Sequence, residues 1–150
     1  MNPLRRTVLK STFTLAAIAS LLPTRVFAAE WNKAAFESKN VADSLKGLGL
    51  GGATDSKDII IKAPEIAESG NNVQIEATSK IPGTQSITIL VEKNPSPLIA
   101  QFELSNGAEG YISTRVKMSQ TSNVRVMVKA GGKVYTAAKE VKVTIGGCGG

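Results

Sequence analysis

The feature that most constrains the fold is an alternation of apolar and polar residues that begins at Asp58 and continues to Ile145. A period of two is typical of strands with one face in a core and the other in water. The apolar positions are rich in Val and Ile, and short sequences of Gly, Asn, Pro and Ser separate the runs. We therefore predict an all-β protein, an antiparallel β-sandwich of immunoglobulin-like type with about seven strands over residues 58–145. The predicted strands lie within residues 58–63, 72–79, 86–93, 97–105, 110–118, 123–130 and 133–145.

Residues 29–57 precede this region and have a different pattern. Apolar residues between Trp31 and Leu48 recur at helical spacing, and Gly47 and Gly49 stand where such a helix should end. This pattern predicts one amphipathic helix, joined to the sandwich by a glycine-rich connector. The connector follows a helix and not a strand, which argues against a nucleotide-binding loop, so we expect no cofactor there.

Residues 1–28 have the features of an export signal: a basic start, an apolar run and small residues before a cleavage site after Ala28. The apolar run is about half of the ~20 residues that a membrane-spanning helix needs, so a cleaved leader is favoured over an anchor. The pair Arg5 and Arg6, followed by two apolar residues and Lys10, resembles a twin-arginine signal. We expect export to the periplasm by the Tat pathway, with ordinary secretion as the alternative.

The basic charge of the chain belongs mainly to this leader. The full sequence has a formal charge of +6, but residues 1–28 hold four of its 18 basic side chains and none of its 12 acidic ones. The rest of the chain has 14 basic and 12 acidic side chains, a formal charge of +2. Its lysines are spread singly along the sequence, so we expect no nucleic-acid binding.

The residue types present exclude most catalytic chemistry within one chain. There is no histidine and one cysteine, which removes His-based nucleophilic catalysis and makes a metal or haem site very unfavourable. Glu65 and Glu68 form a pair of carboxylates, but no base or polar cluster accompanies them, and we interpret them as a solvated strand end. We expect no catalytic residue, no metal and no cofactor.

The single cysteine, Cys148, lies at the extreme carboxyl end of the chain. An unpaired thiol in an exported protein indicates either an intermolecular disulfide or a reactive group. Glycines supply no side chains to bury it, so a core position is excluded. The sequence Gly-Gly-Cys-Gly-Gly at residues 146–150 therefore predicts a thin, flexible arm that presents Cys148 to other proteins. The flanking glycines are Gly146, Gly147, Gly149 and Gly150.

The ending "VKVTIGGCGG", together with "IIIKAPEIAESGNNVQIEATS" and the long segment from Asn94 to Ile145, resembles the SoxY family, the carrier subunits of the periplasmic Sox thiosulfate-oxidising system. The resemblance implies a heterodimer with a second small β-sandwich subunit, SoxZ. It also implies that Cys148 carries sulfur intermediates as a cysteine S-thiosulfonate.

The same resemblance implies transient partners. A c-type haem enzyme, SoxXA, couples thiosulfate to the cysteine, and SoxB, a dimanganese hydrolase, releases sulfate. Where SoxCD is present, it oxidises the remaining sulfane sulfur. On this view the chain is a substrate of enzymes and is not itself an enzyme.

Two other functions are open to a chain of this kind. One is a periplasmic binding or assembly module in which Cys148 forms an interchain disulfide. The other is a ubiquitin-like sulfur carrier, since those also end in Gly-Gly, but the leader, the strand pattern and the cysteine argue against it.

Overall fold

The computed structural model describes residues 32–105 and 107–144. Within them the chain forms two short helices followed by nine strands. The helices are α1 (Lys33–Glu37) and α2 (Val41–Gly47). The strands are β1 (Thr54–Asp55), β2 (Ile59–Lys62), β3 (Ile66–Ala67), β4 (Val73–Ser79), β5 (Thr84–Val91), β6 (Leu98–Glu103), β7 (Tyr111–Val116), β8 (Ser122–Ala130) and β9 (Lys133–Val143).

The strands form two sheets. The large sheet has the order β1-β9-β8-β5-β6, with β3 added along β9, and the small sheet has the order β2-β4-β7. Apart from β1 and β3, all pairings are antiparallel. The predicted sandwich is therefore confirmed, and each of the seven predicted runs overlaps one of the seven strands of four residues or more.

The core between the sheets follows from the period-two pattern. Ile75 of β4, Ile87 and Ile89 of β5 and Val126 of β8 are buried in one apolar cluster. Burying each such side chain contributes roughly 1.5–3 kcal/mol, so this interface is the main source of the sandwich's stability.

The opposite face of the large sheet is also covered, which explains why β5 is buried from Ser86 to Val91 without alternation. Leu90, Leu98 and Met127 pack there in a second cluster with Ala35 of α1 and with Leu45 of α2. The described residues thus form three layers: helices, large sheet and small sheet. The apolar stripe predicted for the amino-terminal helix packs on the protein's own sheet.

Two helices stand where the sequence pattern indicates one. Asn40 interrupts the helix, because its backbone is extended and its side chain accepts a hydrogen bond from the N–H of Asp43, which makes it the N-cap of α2. Asn32 caps α1 in the same way through the N–H of Ala35, and its amide nitrogen donates to the carbonyl of Gly47 at 2.7 Å. The two helices can therefore fold back on each other and cover more of the sheet than one straight helix.

The β8–β9 hairpin shows how local sequence fixes the register. Ala130 pairs with Lys133 across a two-residue turn in which Gly131 and Gly132 have φ of 56° and 74°. A turn with both central residues at positive φ matches the right-handed twist of the strands, and glycine adopts it without strain. This turn makes β9 leave the hairpin in a fixed register, so its far end lies at a defined edge of the sandwich.

Candidate functional site at the end of the last strand

The residues predicted to carry function lie beyond the last residue that the structure describes. They are Cys148 and the four glycines Gly146, Gly147, Gly149 and Gly150. The structure does describe the place from which this segment leaves the sandwich, at Thr144.

The end of β9 is held from two sides. On one side, β3 runs parallel to it, with Ile66 opposite Lys142 and Ala67 opposite Val143, and the N–H of Thr144 donates to the carbonyl of Ala67 at 3.1 Å. On the other side, the N–H of Val143 donates to the hydroxyl of Thr121 at 2.9 Å. The backbone at the base of the predicted arm is therefore fixed as far as Thr144.

Glu65 and Glu68 lie beside this base. Glu65 accepts from the N–H of Lys142 at 2.9 Å and Glu68 from the hydroxyl of Thr144 at 3.2 Å, in both cases through the backbone carbonyl. Their side chains are exposed and have no salt bridge among the described residues. The interpretation of this pair as a solvated strand end, without an acid–base partner, agrees with that arrangement.

A groove of about 500 Å³ adjoins the base of the arm. Three loops and the end of β9 form its walls, and its surface combines apolar atoms of Met118 and Val143 with hydroxyl, amide and ammonium groups. The lining residues are Ser69, Gly70, Asn71, Lys93, Lys117, Met118, Ser119, Gln120, Thr121, Val143 and Thr144.

Asn94 holds two of these loops together. Its amide nitrogen donates to the carbonyl of Lys117 at 2.7 Å, and its side-chain oxygen accepts from the backbone N–H of Ser119 at 3.0 Å and from the Ser119 hydroxyl at 3.1 Å. The carbonyl of Lys93 in turn accepts from the side chain of Gln120. These bonds fix the backbone at both lysines of the groove.

Lys93 and Lys117 give the groove its charge. Both side chains are exposed, and neither forms a salt bridge with a described residue. Two unpaired ammonium groups attract anions through charge and hydrogen bonds, and at an exposed site salt screens much of that attraction. The groove is thus chemically suited to an anionic group with an apolar body.

Neither a metal centre nor a membrane span emerges from the described residues. No group of three or more acidic, histidine or cysteine side chains among residues 32–105 and 107–144 could hold a metal ion. The same part of the chain contains no helix long and apolar enough to cross a membrane.

Sequence reasoning missed the groove. Its lysines follow β5 and β7, which belong to different sheets, and only the pairing of the strands brings both loops to the end of β9. The available signal was weak: Lys93 and Lys117 lie at the carboxyl ends of the predicted runs 86–93 and 110–118, and polar residues are common where strands meet loops.

A family model and a solved structure indicate the same family. A family model described as sulfur oxidation protein SoxY matches residues 48–148. Among solved structures, the sulfur carrier protein SoxY from Chlorobium limicola f. thiosulfatophilum is 40% identical, with a TM-score of 0.61, over 69% of this chain and 96% of that one. The comparison with curated protein sequences returns no match.

A second solved structure is similar in fold alone. Superoxide reductase (neelaredoxin) from Ignicoccus hospitalis has a TM-score of 0.52 at 15% identity, over 61% of this chain and 81% of that one. The likeness at this identity concerns the β-sandwich and carries no function. The family match extends over the base of the arm and its cysteine, and the chain belongs to the SoxY family of sulfur oxidation proteins.

Proposed function

We propose that this chain is a covalent carrier in thiosulfate oxidation, with Cys148 as the attachment site. The observation that carries the proposal is the position of the single cysteine four residues beyond Thr144, the end of the fixed backbone, within a chain of the SoxY family. Gly146 and Gly147 on one side and Gly149 and Gly150 on the other keep this segment narrow. An arm of this kind can enter the active sites of several enzymes in turn.

The proposed loading step joins thiosulfate to the thiol. A bond forms between the cysteine sulfur and the sulfane sulfur of thiosulfate, the S–H bond of the thiol breaks with release of one proton, and two electrons pass, one at a time, to a SoxXA-type haem oxidase. The product is a cysteine S-thiosulfonate with one negative charge. A hydrolase of the SoxB type then adds water at the terminal sulfur, and the bond between the two thiosulfate sulfurs breaks. Sulfate leaves, two protons are released, and a persulfide anion stays on Cys148.

The division of the chain follows from this role. Residues 1–28 are proposed as the cleaved twin-arginine leader, residues 29–57 as the helical layer and connector, residues 58–145 as the sandwich, and residues 146–150 as the arm. Export would place the carrier in the periplasm. Replacement of both Arg5 and Arg6 by lysine should leave the precursor uncleaved inside the cell, whereas normal processing of that variant would contradict Tat export.

A stable partner is part of the proposal. The family resemblance implies a SoxZ-like subunit, and the helical stripe is not available to it, because this stripe packs on the large sheet. Strands β6, β2 and β7 lie at sheet edges and are the places where a second sandwich can pair. Size-exclusion chromatography of the chain alone and of the co-expressed pair tests whether the two subunits form a stable complex. A stable monomer that does not bind the second subunit would contradict the proposal.

The experiment for the carrier function is an intact-mass measurement. Incubation of the exported protein with thiosulfate and the oxidase should add one thiosulfate to Cys148, and a reductant should remove it. The Cys148→Ser variant should stay unloaded. If the variant is loaded equally, or if the wild type forms only disulfide-linked dimers, the chain is not this carrier, and the second result favours the assembly module.

A further inference from the structure

Two large apolar side chains are strongly exposed in the described part of the chain, and they lie at opposite ends of the sandwich. Ile66 of β3 has 59% of its surface exposed and Tyr111 of β7 has 45%. Ile66 pairs with Lys142 at the end of β9, next to the arm. Tyr111 is the first residue of β7, and Val116 is the last. Met118, two residues after Val116, lines the groove beside the arm, so Tyr111 lies at the other end of this strand.

The backbone of Ile66 is fixed, so its exposure is a property of the fold. Ala67 points inward and is 7% exposed, which turns Ile66 outward because neighbouring residues of a strand face opposite sides. The carbonyls of Glu65 and Ala67, on either side of it, accept from the backbone N–H groups of Lys142 and Thr144. The two-residue strand thus presents an apolar side chain at a constant position beside the arm.

The length of the arm determines which surface a receiving enzyme must touch. Cys148 is four residues beyond Thr144, and four Cα-to-Cα steps of about 3.4 Å each span at most about 14 Å. An enzyme that encloses Cys148 in a channel of comparable depth must bring the rim of that channel against the base of the arm. Ile66 is opposite Lys142, two residues before Thr144, and so it lies within the area that the rim covers.

We propose that Glu65, Ile66 and Glu68 form a docking surface for the enzymes that process the loaded cysteine, with Ile66 as its apolar centre. The surface fits a channel rim that has an apolar recess bordered by basic side chains. Charge supports this partner, since the carboxylates of Glu65 and Glu68 flank Ile66, are exposed and have no salt bridge among the described residues. Lys142 is the cation opposite Ile66 in the strand pairing. Lys93 and Lys117 line the groove beside the arm, so the acidic character belongs to the edge formed by Glu65 and Glu68 and not to the whole base.

Apolar centres of this kind contribute most of the affinity in protein interfaces, and rim charges mainly set the association rate and its salt dependence. The inference rests on the proposed function, since it needs an enzyme that draws Cys148 into a channel. It adds the residues by which the carrier is recognised.

The test uses the full carrier in its complex with the second subunit, loaded with thiosulfate, and the hydrolase that releases sulfate from it. The variant is Ile66→Thr, which keeps a β-branched residue suited to a strand. We expect KM for the loaded carrier to rise roughly tenfold with kcat unchanged at saturation, as for loss of one interface centre. The matched control is Lys133→Thr, an exposed strand residue at the turn end of β9, far along that strand from the arm, and it should leave both constants unchanged.

The charged flanks give a second measurement. The double variant Glu65→Gln and Glu68→Gln should lower kcat/KM at low salt and reduce its salt dependence, since the neutral side chains no longer attract a basic rim. Equal thermal unfolding of all carriers shows that folding does not cause these effects.

Each outcome has one meaning. If the wild-type carrier is loaded and processed and Ile66→Thr is processed equally well, the docking surface is wrong and the carrier function stands. If Ile66→Thr dissociates the two subunits, Ile66 belongs to the stable subunit interface and the docking proposal is wrong. If thiosulfate does not load Cys148 of the wild type, the proposed function fails, and this inference fails with it.

Discussion

The backbone N–H of Val143 donates a hydrogen bond of 2.9 Å to the hydroxyl oxygen of Thr121, and this bond joins the end of β9 to the loop before β8. The bond is partly buried, so it is shielded from competing water. It fixes one side of the base of the predicted arm, while β3 fixes the other.

Replacing Thr121 by valine removes this acceptor and keeps the shape of the side chain. We expect a loss of about 1 kcal/mol in the free energy of unfolding, the usual net value of one partly buried hydrogen bond. Hydrogen exchange at the Val143 amide should also become faster. Urea denaturation and amide exchange measure the two effects.

The matched control is Thr78→Val, because Thr78 is a half-buried strand threonine whose hydroxyl has no recorded partner among the described residues. It should unfold at the same urea concentration as the wild type. Equal stability of both variants would show that the Thr121 bond does not hold the end of β9.

Gly70 lies against the backbone of Met118 without room for a side chain. The N–H of Met118 donates to the carbonyl of Gly70 at 2.7 Å, and a Cβ on Gly70 would collide with the carbonyl oxygen of Met118 and lie 3.1 Å from the side chain of Val143. The Gly70→Ala variant must therefore shift the loop that lines the groove. We expect a loss of about 1–3 kcal/mol, as for other overpacked sites, measured by urea denaturation.

Gly51→Ala is the control for this substitution, since a Cβ at Gly51 meets no atom within 4 Å and its φ is not positive. Its stability should stay within about 0.5 kcal/mol of the wild type. A tolerated alanine at Gly70 would mean that the loop is free to move away from β9.

Glu92 and Arg125 form a partly buried ion pair between the end of β5 and β8. Arg125 Nε donates to Glu92 Oε1 at 2.7 Å, and the two side chains are only 29% and 24% exposed. Asn123 donates to the second carboxylate oxygen at 3.0 Å, and Arg125 Nη1 donates to the hydroxyl of Thr136 at 3.3 Å. A charge pair with such additional bonds is stronger than an exposed one.

A double-mutant cycle with Glu92→Gln and Arg125→Gln should give a coupling of about 1–2 kcal/mol. The exposed pair Lys33 and Glu37, with side chains 68% and 62% exposed, provides the comparison and should couple by about 0.5 kcal/mol or less. Equal couplings for the two pairs would contradict the importance of burial. Thermal or urea unfolding at two salt concentrations supplies the numbers.

Asn94 should be the most important polar side chain in holding together the loops that form the groove. Asn94→Ala removes three hydrogen bonds to Lys117 and Ser119 and leaves a backbone donor and acceptor without their partner. We expect a loss of about 1–3 kcal/mol in stability, together with faster hydrogen exchange at the Ser119 amide. Asn72→Ala, at an exposed asparagine without a recorded side-chain bond among the described residues, should change neither quantity.

Some secondary-structure elements were predictable from the sequence and others were not. The seven longer strands were predictable because each alternates apolar and polar residues or is continuously apolar, and the Gly131–Gly132 turn was predictable because few residues accept two positive φ values in succession. The break between α1 and α2 was not predicted, since an asparagine within an apolar pattern can be either an exposed helical residue or a cap. The two short strands β1 and β3 were also missed, because two residues are too few to show a period.

Three properties could be inferred from the amino-acid sequence alone: the class of fold, the position of the single thiol within a glycine-rich segment, and, through "VKVTIGGCGG", the family. These are local features, written in the spacing and types of neighbouring residues. Tertiary structure alone decided what surrounds the base of the arm. Lys93, Ile66 and the loop that holds Lys117 and Thr121 come from three separate segments, and only the pairing of β3 with β9 and the packing of the two sheets bring them to one end of the sandwich. Pairing between distant strands depends on the burial of whole strands, and it cannot be inferred from any short stretch of sequence.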